Sequence, residues 1–247
     1  MMSKSKYSES GQEIYRHEER TTPFQLATGD EATIDLITAH IEKHIGVVDF
    51  IFHEIISDTV HIDVLRVPPT KERNYYTLVT CGMSTLPMTV PPGAEKFRFA
   101  ELLICLPADW PMTEETYSLP ENYWPIEWLK TLARLPHEYN SWLYAGHTIP
   151  NGDPEKPFAG NTLLSGVMLT LPSLAEDASA FFNLRASDEK EVHFFCVVPL
   201  YSEEMEFKLK KGAEALLEKH DEEGITVLLD IGRKNVCKKS IFGFFKK

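Results

Sequence analysis

The 247-residue sequence lacks any apolar run near the roughly 20 residues that would cross a bilayer. Its start, Met1-Met2-Ser3-Lys4-Ser5-Lys6-Tyr7, lacks the apolar stretch of a secretory signal. Both absences point to a soluble, cytoplasmic protein. Cysteine is scarce: Cys81, Cys105, Cys196 and Cys237 show no Cys-x-x-Cys pair and no zinc spacing. The first three lie in apolar, strand-like runs, where a thiol behaves as a small buried hydrophobe and no disulfide is expected. Basic charge is also short, with 25 Lys and Arg against 37 Asp and Glu, a net charge of −12. Self-repulsion therefore argues against DNA or RNA as partner. A phosphate loop of the form Gly-x-x-x-x-Gly-Lys-Ser/Thr is missing, as are Gly-x-Gly-x-x-Gly and Gly-x-Ser-x-Gly. Nucleotide cofactors and a nucleophile elbow lose their sequence support, and no cofactor is expected.

What is present suits a folded domain. Hydrophobic residues make up 43% and charged residues 25%, enough to bury a sizeable core in one α/β (α+β) domain with a mixed sheet flanked by helices. Residues 1–27 are polar and aperiodic and read as a poorly ordered lead-in, 28–231 as the domain, and 232–247 as a basic tail. From Gly232 onward there are six basic residues and no acid, so the remaining chain carries −18. The tail's Ser240-Ile241-Phe242-Gly243-Phe244-Phe245-Lys246-Lys247 reads as a terminus docked on its own domain, or as an anchor for an acidic surface.

Periodicity places the elements. Thr28 and Glu31 have capping-box spacing ahead of the stripe Ile34, Ile37, Ile41 and Ile45, which Gly46 ends. Strands are expected over 47–54 and 60–67, joined at Ser57-Asp58, then over 74–81 and 97–106. The run Leu102-Leu103-Ile104-Cys105-Leu106 is apolar on both faces, as a central strand must be. A helix follows from Trp124 to about Asn140, limited by Pro136, and then a surface loop over 151–160. Strands over 163–171 and 192–201 precede a helix capped by Ser202, with Met205, Leu209, Ala213, Leu216 and Leu217 on its buried side. Ile225 to Ile231 reads as a last strand.

Candidate functional residues are few. His40 and His44 sit one helical turn apart but flank the isoleucine stripe, where solvated histidines belong. His61 and Asp63 share one strand face, the beginning of a metal set or a polar face turned to water or a partner. Glu114-Glu115, Glu203-Glu204 and Asp221-Glu222-Glu223 read as solvated helix ends. Tyr75 and Tyr76 must point to opposite faces, so one ring is available for display. Trp142, Tyr144 and His147 run into the Asp153 loop and place aromatics, an imidazole and a carboxylate close together. Such rings anchor interfaces, although Trp142 equally fits a core position.

Several blocks together resemble the Suppressor of fused family. They include His61-Ile62-Asp63-Val64, the run from Pro68-Pro69 through Tyr75-Tyr76 to Cys81-Gly82-Met83-Ser84, and Ala100-Glu101-Leu102 through Asp109-Trp110. Trp124-Pro125-Ile126-Glu127-Trp128, Gly146-His147-Thr148-Ile149 and Pro199-Leu200-Tyr201-Ser202-Glu203-Glu204 complete the set. The resemblance implies an α/β domain that binds proteins, with no catalytic residue. The animal member clasps a peptide of a zinc-finger transcription factor between two domains, whereas this chain ends where the second would begin. It is more similar to compact bacterial members that look like immunity proteins against toxins. The leading expectation is thus a toxin-neutralising binding protein using Tyr75, Tyr76, His61, Asp63, Trp142, His147 and Asp153. A regulatory adaptor that takes a peptide strand on a free sheet edge beside Tyr75 or Tyr76 is the second. A metal-dependent enzyme built on His61, Asp63 and His147 is the third.

Overall fold

The computed structural model describes residues 6–18, 20, 23–173 and 178–238. A short strand, β1 (Leu26–Ala27), leads into α1 (Glu31–His44). Strands β2 (Phe50–Phe52), β3 (Ser57–Asp58), β4 (Asp63–Val67), β5 (Tyr75–Cys81) and β6 (Phe99–Pro107) follow, then α2 (Pro120–Glu138). The second half comprises β7 (Thr148–Pro150), β8 (Gly166–Thr170), α3 (Ala178–Phe182), β9 (Asn183–Arg185), β10 (Glu191–Leu200), α4 (Ser202–Lys211) and α5 (Ala213–Glu222).

The main sheet runs β2-β4-β5-β6-β10-β8-β7, with β9 on β10, while β1 and β3 form a separate ribbon. Every ladder is antiparallel except β6 with β10, where Leu103 lies opposite Cys196. That central pair is covered on both sides. Leu102, Ile104, Leu106, Phe195 and Val197 face one way and meet Trp124, Ile126, Leu129 and Leu132 of α2. Leu103, Cys105, Phe194 and Cys196 face the other and meet Ile37 and Ile41 of α1 and Phe181 of α3. The period-two alternation of a strand thus divides one apolar run between two cores, each buried side chain contributing roughly 1.5–3 kcal/mol.

Several local expectations change. Asp30, not Thr28, caps α1: its carboxylate accepts the Thr33 N–H at 3.1 Å, and a cap must stand immediately outside the first turn. Helix α2 begins at Pro120 and runs through Pro125, and the Asn161 amide donates to the Glu121 carbonyl that Pro125 cannot serve. Ser57-Asp58 is a strand paired with Leu26–Ala27 and not a simple turn. The long C-terminal helix is two, because Gly212 adopts a φ of 96° between α4 and α5. The break leaves Met205 and Leu216 buried but turns Leu209 and Leu217 to the surface. Residues 225–231 supply one bridge, Leu228 with Cys105, where β6 extends beyond its pairing with β10.

The described part of the first 27 residues lies on the domain: Ser10 N–H donates to the Leu209 carbonyl, and Arg20 bonds Asp58. At the other end, Arg233 and Val236 bind Glu204. Residues 239–247, with the aromatic part of the expected tail, lie outside the described residues.

Candidate functional site

His61 and Asp63 meet, but not on an open polar face. Asp63 is 2% exposed and accepts the Glu54 N–H at 3.0 Å, with His53 Nδ1 and His61 Nε2 each 3.1 Å from its carboxylate. The other ring nitrogen of His61 lies 2.7 Å from the Ser57 hydroxyl. Ser57, His61 and Asp63 therefore form a continuous chain, and Ser57 at its end is 1% exposed. They tie the loop between β2 and β4. Burial pushes the Glu54 carboxyl up, and bonds from Ser57 and Arg134 more than reverse it. Arg134 spans both Glu54 oxygens at 2.6 and 2.7 Å and donates to the Asp58 carbonyl. Arg20 and the Gln25 N–H hold the Asp58 carboxyl down at about 2. The loop so fastened projects Ile55 and Ile56 into solvent.

Trp142 and His147 form a second group. The half-buried Trp142 ring stacks on Tyr144 at 5.5 Å and meets His147 edge-on at 4.9 Å, while its Nε1–H donates to the Tyr15 hydroxyl at 3.2 Å. Burial, with Lys208 second, lowers His147 to about 4, so the ring is neutral at neutral pH. Lys208 is 5% exposed, and burial lowers its amine too. His147 leads directly into β7, the edge strand at one end of the sheet, with β2 at the other. Ile149 pairs with Val167, so Thr148 turns its own N–H and carbonyl outward. Pro150, with no N–H, shortens the open edge. Asp153 is exposed in the following loop, which the Asn151 amide braces through the carbonyls of Lys156 and Pro157.

Tyr75 and Tyr76 do lie on opposite faces, Tyr75 against the α1 core and Tyr76 against the α2 core. Arg73 sits 5.1 Å over the first ring and Arg66 5.7 Å over the second. Strand β5, however, is interior, paired with β4 and β6, so it offers no free edge for a peptide. The enzyme grouping is not assembled either: His147 contacts Trp142 and Tyr15, whereas His61 and Asp63 bond Ser57, His53 and Glu54. Among the described residues no group of three His, Cys, Asp or Glu is placed to hold a metal ion. None of their helices is long and apolar enough to cross a membrane.

Two glutamates are fully buried, one given no role in the sequence analysis and the other expected at the surface. Glu101 accepts from Thr80 Oγ1 at 2.6 Å, Ser84 Oγ at 2.7 Å, and the Ser84 and Gly82 N–H groups at 3.0 and 3.1 Å. Burial still leaves its carboxyl raised. The turn it holds needs Gly82, where a Cβ would fall 1.9 Å from the His61 carbonyl oxygen. Glu204, expected as a solvated helix end, is buried against Arg233 at 2.5 and 2.7 Å. There burial pushes up, but Arg233 and then His220 bring the carboxyl down to about 2. A lone acid inside an otherwise apolar stretch was the available signal for Glu101; for Glu204 the partner is 29 residues away and leaves none.

Glu101, Glu204, Trp142 and His147 fall within the part of the chain that matches a known family. A sequence model of the Suppressor of fused protein (SUFU) matches residues 58–234. The putative SUFU homologue of Neisseria gonorrhoeae superposes with a TM-score of 0.62 at 21% identity, over 85% of this chain and all of that one. A chain of the Sufu–Fu complex crystal structure gives 0.58 at 14% identity, over 83% of this chain and 92% of that one. Drosophila Suppressor of fused gives 0.56 at 13% identity, over 83% of this chain but 51% of its own. No curated protein sequence matches. The fold is the one shared by these structures, and the chain belongs to the Suppressor of fused family.

Proposed function

We propose that this protein is an immunity-type binding protein that neutralises a toxin domain by covering it, with no chemistry of its own. The observation that carries the reading is membership of a protein-binding family in a chain this acidic. Glu214, Glu218, Asp221 and Glu222 stand exposed along α5, and Glu203 and Glu206 along α4. Such a field speeds encounter with a basic groove, of the kind a nuclease toxin uses for its substrate. The decisive experiment mixes the purified chain with the product of a neighbouring toxin-like gene. One-to-one inhibition, with an association rate that falls as salt rises, is expected. Absence of binding at micromolar concentration overturns the reading.

A second reading, capture of a peptide strand by an intracellular adaptor, draws on the open edge at Thr148 between Trp142, His147 and Asp153. The Sufu–Fu complex is a relative seen with a protein partner. Under this reading Thr148→Pro abolishes partner binding while charge reversals on α5 leave it intact; toxin capture through α5 gives the opposite pattern.

A further inference from the structure

The aromatic group at Trp142 is already covered by part of this chain. Residues 6–18 form a small hairpin: Ile14 N–H donates to the Lys6 carbonyl, Ser8 N–H to the Gln12 carbonyl, and Lys6 pairs with Glu13, each at 2.8 Å. The hairpin's internal bonds hold it together, and it touches the domain through Ser10, Tyr15 and His17, Tyr15 also meeting the His147 ring at 6.2 Å. Ser10 N–H reaches the Leu209 carbonyl at 3.0 Å, Tyr15 accepts from Trp142, and the His17 ring stacks on Tyr139 at 4.8 Å. Tyr7 and Tyr15 remain 54% and 44% exposed. Gln12 also forms part of the wall of a groove of about 830 Å³ with Gly146, Lys211 and Leu217. Thr170 Oγ1, buried without a hydrogen-bond partner, belongs to a residue on the same groove, while His220 Nε2 faces Glu204 at 3.7 Å.

We propose that residues 6–18 are a built-in, displaceable competitor for the surface around Trp142, His147 and the start of β7. The surface accepts an extended segment that brings a tyrosine hydroxyl to the Trp142 indole and a backbone N–H to the Leu209 carbonyl. A protein partner using this surface presents those groups and lifts the hairpin. The inference builds on the protein-binding reading, but the displacement itself is measured without a partner.

The experiment uses a chain lacking residues 1–18, which retains Arg20 and its bonds to Asp58, and a synthetic peptide of residues 6–18 as the probe. The indole N–H resonance of Trp142, assigned through Trp142→Phe, reports occupancy. Removing the hairpin should shift this resonance, and adding the peptide to about 2 mM, the effective concentration of a short tether, should return it toward the full-chain position. The full chain should bind the peptide at least tenfold more weakly. Failure of the peptide to move the resonance, or equal binding by both chains, overturns the proposal. If the shortened chain does not fold, full-length Tyr15→Ala replaces it and should bind the peptide at least threefold more tightly than the unsubstituted chain; equal affinity there is equally fatal. A chain that passes this test yet binds no toxin or peptide partner retains the competitor and loses only the proposed function.

Discussion

Glu101 and Glu204 are both fully buried, and they are held in opposite ways. Neutral donors from one short stretch, Thr80 to Ser84, surround Glu101 and pin the turn after β5. A guanidinium from the far end of the fold holds Glu204, and with it fastens the segment from Arg233 to Val236 across β10 and α4. Neutral hydrogen bonds leave the first carboxyl raised by burial, while a cation brings the second down. The same side chain thus serves as a local brace in one place and as a long-range clasp in the other. The comparison indicates that a buried acid is to be judged by the charge of its partners, not by its depth.

The clasp should be the more fragile. Arg233→Met leaves Glu204 buried without its cation and should cost about 3–5 kcal/mol in urea unfolding, and a second change, Glu204→Gln, should recover part of that loss. Glu101→Ala leaves the Ser84 and Gly82 N–H groups without their acceptor and should cost about 2–3 kcal/mol by the same measurement.

Acid separates the two further. Because Glu204 titrates lower in the folded than in the unfolded chain, its stabilisation is present above pH 4.5 and is lost as pH falls toward 2. Glu101 has the opposite sign: its contribution is complete below pH 4.5 and declines as pH rises through its elevated folded value. Glu101→Gln should therefore steepen the acid loss of stability, and Arg233→Met should flatten it. The smallest expected effect is at His147. Its ring should stay neutral in NMR titration until pH nears 4, and Lys208→Met should raise that midpoint while burial keeps it below the ordinary histidine value.

Strands β5, β6 and β10 were legible because their apolar runs are long and their alternation is strict, as in Leu102 to Leu106. Helix ends were less so. Thr28 and Asp30 are both cap-forming residue types, and it is Asp30 that stands immediately outside the first turn with an extended backbone. Gly212 was visible as a weak point within a helix, but its left-handed backbone is set by how α4 and α5 pack. The polar architecture was largely hidden. Sequence placed His61 and Asp63 on one side of a strand, yet the partners that hold them, Ser57, His53 and Glu54, come from the loop and strand before it. Trp142 and His147 were correctly seen as neighbours, while Tyr15, 127 positions earlier, carried no sign that it would cover them.

The parallel ladder of β6 and β10 has a consequence for synthesis. Strands β2, β4, β5 and β6 pair in chain order and can zip together as they leave the ribosome, but Leu103 must wait for Cys196 to emerge. Until then one side of β6 is an unpaired apolar border, a template for other nascent chains. Joining segments so far apart slows the final closure, so yield in cells should depend on chaperone supply during that interval more than on the stability of the finished fold.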